Sequence, residues 1–449
     1  MSSCVIFEGR TKYPNKVAII SENNHITYLE LDCWIKSTQL AIQKYKRIFF
    51  VPLPLIESIV LIFAAIRENI KICLLNHRNP LNYRRNIEFF FKPDISVNSL
   101  EDLMKLTEKG KYIQSRDVQI TDEPNLYIPT SGTTSKPKIA CLSYQNFLSN
   151  ALIANQKLDF SQSDTWILSL PLFHVAGLSI LFRVFAARAT VNIAKDKDFF
   201  KLNGNFISLV PTQLNRILEQ VSLYQNKFKC VLMGGAPLSE SSFNKAKKFR
   251  FPIAMSYGMT ETASQIFVSK DPKFINGVFY LGFPDSHCDV HLNKKRELSV
   301  SGPAVFYNYY KKKDKLDCFK TQDILKHHKD YGYAFFARAN EMFISGGENI
   351  YPEEIERHIM KCSGIDLAYV VGVENVTYGH VPVAFIFGKN YDINEIKKYL
   401  FLSLPKYKVP VEFFKIPLQF FNDLKCSRGN LKKHLKTQKN LFVKLKKII

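Results

Sequence analysis

The sequence predicts an α/β fold: a large N-terminal domain of layered α/β subdomains carrying a β subdomain, then a small α+β C-terminal domain. Three observations lead there. Short β-rich runs alternate with amphipathic helical stretches through residues 17–257. Several of these strands end in glycine or proline before a helix, which puts loops at the carboxyl ends of strands, where α/β proteins bind ligands. Near Ala334–Phe343 the pattern shifts again, into a compact unit of about 110 residues, within normal domain size. At 449 residues the chain is also too long for one ordinary core.

Taken in order, Val17–Ser21 and His25–Tyr28 form a hairpin pair around Glu22–Asn24, and an amphipathic helix follows from Thr27. Ile48–Val51 pairs with the helical stretch Ser58–Arg67, and Ile70–Leu75 with Tyr83–Phe90. Leu126, Tyr127 and Ile128 end a strand, residues 130–138 are a loop, and Ser143 is placed to cap a helix running to Leu158. Trp166–Leu170 ends in Pro171, and Leu178–Ala187 is apolar enough to be an internal helix. Phe206–Val210, Cys230–Met233 and Pro252–Tyr257 are further strands, the last two closed by glycine. Residues 275–310 switch to short β runs with glycine turns. Beyond them, Ile344–Pro352 is a glycine turn and Glu353–Lys361 a helix. Leu367–Val373 and Val381–Phe387 are strands, and Ile393–Ser403 is a helix. The boundary falls at Arg338–Glu341, giving units of 1–337 and 342–449.

With 46% hydrophobic and 23% charged residues, the composition is that of a soluble globular protein. The net charge of +22, from 62 basic and 40 acidic residues, favours polyanionic ligands such as nucleotides or CoA-like molecules. The lysines are mostly scattered, and the basic clusters Lys311–Lys315 and Lys432–Lys447 lack the interleaved aromatics of a single-strand binding platform. A nucleic-acid partner is therefore not expected. Nine cysteines with no pair closer than 29 residues suggest neither a zinc site nor a disulfide framework, and fit a reducing cytosol. MSSCVIFEGR lacks the apolar core of a signal peptide, and Ile48–Ile66 is interrupted by Pro52, Pro54 and Glu57. The expectation is a cytoplasmic, soluble protein without a membrane span.

The stretch Tyr127–Ala140, YIPTSGTTSKPKIA, groups the hydroxyls of Thr130, Ser131, Thr133, Thr134 and Ser135 around Gly132, with Lys136 and Lys138 flanking Pro137. Such a loop offers hydroxyl and backbone donors beside cations, which suits a nucleoside triphosphate. No Gly-Lys-Ser/Thr follows the glycine, so the Walker mechanism does not apply. Alone, the segment reads equally well as a polar surface turn.

Five further segments occur downstream: PLFHVAGLSILFR (Pro171–Arg183), MGGAPLS (Met233–Ser239), SYGMTETAS (Ser256–Ser264), FARANEMFISGGENIYPEEIE (Phe336–Glu356) and LKCSRGNLKK (Leu424–Lys433). In this order and spacing, the chain resembles the adenylate-forming superfamily of acyl-CoA synthetases, luciferases and adenylation domains. The likeness runs end to end and implies that the small C-terminal domain is mobile. Within the superfamily the chain is most similar to the 2-succinylbenzoate–CoA ligases, through its short length and the segments FHVAGLSILFRVF and SLVPTQLNRIL.

The resemblance implies a reaction and a set of roles. A carboxylate attacks the α-phosphate of ATP, pyrophosphate leaves, and the thiol of CoA captures the acyl-AMP. Thr130, Ser131, Gly132, Thr133, Thr134 and Lys138 handle the β- and γ-phosphates; Gly235, Ala236 and Pro237 line the adenine pocket; Tyr257 stacks on the base. Thr260 binds the α-phosphate and Glu261 ligates Mg2+, a hard cation suited to a carboxylate oxygen. Asp323 bonds the ribose hydroxyls, with Gln322 where the family has glycine, and Arg338 contacts ribose and phosphate, with Ala337 where the family has glycine. Asn340 is the hinge in 338–341. Lys425 is the adenylation lysine, from K-C-S-R against the family's K-x-x-R, in preference to Lys432 or Lys433. His174 closes the acyl site, and Arg183 meets the second carboxylate of the acid. An internal salt bridge or a side chain reaching to the surface are the other ways to settle that guanidinium. The implied partners are a small-molecule carboxylate, ATP with Mg2+, and CoA, with a homo-oligomer left open. Two alternatives stand beside this: an acyl-CoA synthetase for another aryl or medium-chain acid, and a catalytically silent nucleotide-binding homologue.

Overall fold

The structure, a computed structural model, describes residues 2–22, 24–108, 119–130, 138–194, 199–220, 227–284, 286–312, 314–417 and 428–437. It has a large N-terminal domain and a smaller C-terminal one. An eight-stranded sheet runs in the order Ser264–Ser269, Ile253–Met259, Cys230–Met233, Phe206–Leu209, Thr165–Leu168, Thr190–Ile193, Val17–Ser21, Asn24–Thr27. Its interior is parallel, and each edge strand is antiparallel to its neighbour. A second, six-stranded sheet is ordered Asn308–Tyr309, Lys138–Ser143, Pro124–Thr130, Lys71–Leu74, Arg47–Phe50, Ile95–Val97. The expected β subdomain contains a four-stranded antiparallel sheet, Asp289–Leu292, Glu297–Ser301, Cys318–His328 and Gly332–Arg338.

Helices join the two large sheets. Every residue of Ile56–Arg67 except Glu57 is buried, and Val175–Ala186 is buried from Gly177 onward. Such all-round burial explains why their sequences are apolar on every face. Phe63 of the first helix meets Phe182 and Phe185 of the second, at 5.6 and 5.4 Å between ring centroids. Phe147, on the helix Tyr144–Leu158, stacks on Phe182 at 4.8 Å. Burying a Phe side chain is worth about 1.5–3 kcal/mol, so this cluster is a large part of the weld between the layers. The expected cap at Ser143 is present, as a capping box with Asn146, and Thr27 and Glu30 form another at the helix that follows from Thr27.

One expected loop is shorter than the sequence suggests. Lys138–Ser143 is a strand, antiparallel to Pro124–Thr130, with Lys138 opposite Thr130. Residues 139–143 are all buried, so the segment lacks the alternation that marks a half-exposed strand. Residues 131–137, with Ser131, Gly132, Thr133 and Thr134, lie outside the described residues.

The C-terminal domain has its own core around Ile350, Ile355, Ile359, Ala384 and Ile386. The expected glycine turn there joins two short strands, Phe343–Ser345 and Glu348–Ile350. Gly346 and Gly347 sit at φ +57° and +88°, left-handed values that only glycine adopts freely in so tight a hairpin. Arg428 anchors the last described helix by ion pairs to Glu353 at 2.9 Å and Glu356 at 2.6 Å. Arg357 links the domains, donating to Phe336 O at 2.5 Å and lying 4.6 Å from the centre of the Phe336 ring. Among the described residues no helix is long and apolar enough to cross a membrane, and the eight described cysteines are free thiols.

A buried charge cluster tests how the N-terminal core is held. Asp32 is fully buried between Arg67 at 2.5 Å and Arg10 at 3.0 Å. Asp32→Ala strands a buried guanidinium and is expected to destabilise the large domain by about 3–5 kcal/mol, read from its denaturant midpoint. Glu101→Ala, which breaks an exposed pair with Lys105, should leave that midpoint unchanged within error.

Candidate active site

Four parallel strands, Thr165–Leu168, Phe206–Leu209, Cys230–Met233 and Ile253–Met259, bring the loops after them to one edge of the sheet. His174, Gly235–Pro237 and Thr260 all lie in or just beyond those loops. Two glycines make the close approaches possible. A Cβ on Gly177 would lie 2.1 Å from Pro171 O, so glycine lets the helix start directly against the strand's exit. A Cβ on Gly258 would lie 1.7 Å from Ser264 O, where the chain doubles back through the turn Thr260–Thr262.

Tyr257, Asp323 and Arg338 form one contact group. The Tyr257 hydroxyl donates to Asp323 Oδ2 at 2.6 Å, and Arg338 Nε pairs with Oδ1 at 3.1 Å. Tyr257 also stacks on Phe335 at 6.0 Å. Burial pushes the Asp323 carboxyl above its ordinary value, although Arg338 and Tyr257 both pull it back. Burial, then the neighbouring carboxylate, drives the Tyr257 phenol far upward, so it is a donor at any working pH. Gln322, which stands where the family has glycine, has φ +62°. A glycine would sit there without strain; glutamine carries it at some cost, and Asp323 keeps its place.

Glu261 lies half-buried in the turn after the Tyr257 strand, and its carbonyl accepts from Phe306 N at 2.8 Å. Its Oε1 accepts from the Tyr309 hydroxyl at 2.7 Å; Oε2 has no partner among the described residues. Lys138 Nζ lies 5.5 Å from the centre of the same tyrosine ring. No group of three or more His, Cys, Asp or Glu side chains is placed to hold a metal among the described residues. One carboxylate with a free oxygen suits a Mg2+ that takes its remaining oxygens from water and phosphates rather than from a protein cage.

Arg183 is buried, with 2% of its surface exposed. Its Nη2 donates to Gln265 Oε1 and to Ser264 Oγ (3.3 Å), its guanidinium lies 5.3 Å from the centre of the Trp166 ring, and its Nε has no partner among the described residues. No carboxylate lies within 4.0 Å of it among the described residues, and burial pushes its pKa down to about 10. Of the three ways to settle this guanidinium, a described salt bridge and surface exposure are thus both absent. His174 stands exposed at the N-cap of the same helix, against Phe173 at 4.7 Å.

The remaining expected residues are more scattered. Thr130 and Thr260 are half-buried, Gly235 has φ +82°, and Asn340 is exposed in the turn Ala339–Glu341. Lys425 lies outside the described residues. Sequence reasoning passed over Tyr309, Ser264 and Gln265, which make the direct contacts to Glu261 and Arg183. The only signal for Tyr309 was the aromatic run FYNYY, which reads as core.

The family model for AMP-binding enzymes matches residues 91–310, and that for the AMP-binding enzyme C-terminal domain matches residues 354–418. The chain belongs to the AMP-binding enzyme family. A 2-succinylbenzoate–CoA ligase of Oceanobacillus iheyensis is 29% identical to it, over 89% of this chain and 92% of the relative. That of Haemophilus influenzae is also 29% identical, over 95% and 96%. Among solved structures, o-succinylbenzoate CoA synthetase from Bacillus subtilis, in complex with an acyl-adenylate intermediate, matches at a TM-score of 0.83 and 24% identity over 100% of both chains. The same synthetase with ATP and magnesium ion matches at 0.77 and 24%, over 92% of this chain and 95% of that one. The α/β fold with a large and a small domain is common to them and to this chain.

Tyr257→Phe tests the contact group. Losing a hydrogen bond to a buried carboxylate should cost about 1.5–3 kcal/mol of stability, read by chemical denaturation. The folded Asp323 keeps its proton to higher pH than the unfolded chain. Its contribution to stability is therefore greatest at low pH and is lost as pH rises from 3.8 through the raised value. Tyr257→Phe removes a group that holds this carboxyl down, and should widen that window in a carboxyl titration followed by NMR.

Proposed function

We propose that this chain is an ATP- and Mg2+-dependent, AMP-forming ligase that joins 2-succinylbenzoate to CoA through an acyl-adenylate. The names of its relatives supply the substrate pair, and the observation that carries the choice of acid is Arg183. A guanidinium buried with neutral partners and no described carboxylate is costly unless an anion completes it, and the second carboxylate of a dicarboxylic acid is such an anion.

In this reading the protein's task is to bring two anions together. Lys138 and the hydroxyl loop from Thr130, with Ser131, Gly132, Thr133 and Thr134, bind the outer phosphates. Gly235, Ala236 and Pro237 line the adenine pocket beside Tyr257. Asp323, already bonded to Tyr257 and Arg338, has lone pairs left for a ribose hydroxyl. Thr260 takes the α-phosphate, and Glu261 would hold Mg2+, which supplies charge neutralisation at the phosphates. Lys425 places an ammonium between the attacking carboxylate and phosphorus, and His174 closes the acyl site. Orientation supplies much of the remaining acceleration. The domain limits 1–337 and 342–449, with Asn340 in the hinge 338–341, complete the proposal. A cytoplasmic setting accords with the free thiols.

Exchange of labelled pyrophosphate into ATP, run with a panel of acids, tests the reading. The chain should exchange with 2-succinylbenzoate, and Arg183→Met should lower its preference for that acid over benzoate about tenfold or more. An unchanged preference would favour the alternative of another aryl or medium-chain acid. Lys425→Ala should abolish exchange while a supplied acyl-AMP still passes to CoA. Lys432→Ala and Lys433→Ala should retain exchange, and loss in either would move the adenylation lysine there.

A further inference from the structure

Tyr309 has no part in the roles above, yet it touches two of the residues that carry them. It is reached from far along the chain: the short strand Asn308–Tyr309 pairs antiparallel with Lys138–Ser143, setting Tyr309 opposite Ala140. That register puts its ring against Lys138 Nζ, at 5.5 Å. Its hydroxyl, 48 residues away in sequence from Glu261, donates to Oε1 at 2.7 Å. The neighbouring Phe306 fixes the same turn from the other end, through its N–H to Glu261 O at 2.8 Å and a 4.9 Å edge contact with the Tyr309 ring.

Glu261 has flexible side-chain torsions, and a lone carboxylate on a turn would otherwise sample several orientations. The bond from Tyr309 ties up one oxygen and leaves Oε2 without a partner among the described residues. A neutral donor does this without cancelling the charge; a lysine in that place would have competed with a cation. The aromatic ring at the same time shares its face with the lysine at the root of the hydroxyl loop.

The geometry points to Tyr309 as a positioning residue for metal-bound nucleotide, aiming the free oxygen of Glu261 at Mg2+ while holding Lys138 beside it. The inference rests on the ligase reading for its ligand, ATP with Mg2+, but not on which acid is used.

Tyr309→Phe isolates the hydroxyl, because the ring facing Lys138 is kept. ATP affinity is measured by calorimetry with Mg2+ and again in EDTA, on the full chain. The expected result is about a tenfold loss of the Mg2+-dependent gain in affinity, the scale of one hydrogen bond to a charged group, with affinity in EDTA unchanged. Glu261→Gln should remove that gain, and adding Tyr309→Phe to it should cost nothing more. An unaltered Mg2+ gain in Tyr309→Phe, or a full further loss in the double variant, overturns the assignment. A loss in EDTA equal to that with Mg2+ overturns it too, since a merely structural role would act on both. Failure of the ligase reading appears separately, as a parent chain that binds Mg2+ and ATP yet exchanges pyrophosphate with no acid.

Discussion

The register between Ile253–Met259 and Ser264–Ser269 is the constraint on which the site depends. These strands are antiparallel, with an irregularity between Tyr257 and Gly258 and a three-residue turn at their tip. One side of that hairpin presents Tyr257 to Asp323, the tip carries Thr260 and Glu261, and the return strand brings Ser264 and Gln265 to Arg183. A slip of one residue would turn every one of these side chains to the opposite face. The missing Cβ of Gly258 is what lets the strands approach closely enough for the register to hold.

The site's three buried or half-buried charges are handled differently, and the differences are chemically useful. Asp323 has a cation and a phenol, so its charge is both neutralised and solvated. Among the described residues, Glu261 has a phenol alone, and Arg183 an amide, a hydroxyl and an indole face. Neutral donors and acceptors lower the cost of burying a charge without cancelling it, which leaves Glu261 and Arg183 with charge to offer a ligand. The overall excess of +22 adds a long-range attraction for anions, screened within about 10 Å at 0.1 M salt. It acts on approach rather than on the contacts themselves.

Much of the architecture was legible because local signals agreed with the tertiary result. The helix Ile393–Ser403 has the limits read from sequence, and Ser143 caps the helix it was expected to cap. The strand Lys138–Ser143 was missed because burial on both faces erases alternation. In the site, polar motifs such as SYGMTETAS identified the elements but not their partners. Tyr309 and Gln265 become visible only through strand pairing and helix packing across the chain, which no local window contains. Gln322 was legible as a departure from the family's glycine, but not its backbone, which lies in the left-handed region that a glycine would enter freely.

The contact between Arg357 and Phe336 has a consequence for how the two halves behave together. Phe336 lies two residues before Arg338, and both Arg357 and Lys326 place cations within 4.6 Å of its ring centre. The small half is thereby geared to the last strand of the large one instead of hanging from a slack tether. Any rotation that separates them must strip a guanidinium from a carbonyl and a ring in one event. Those two contacts share one side chain, so such a rotation would break them together and not one after the other.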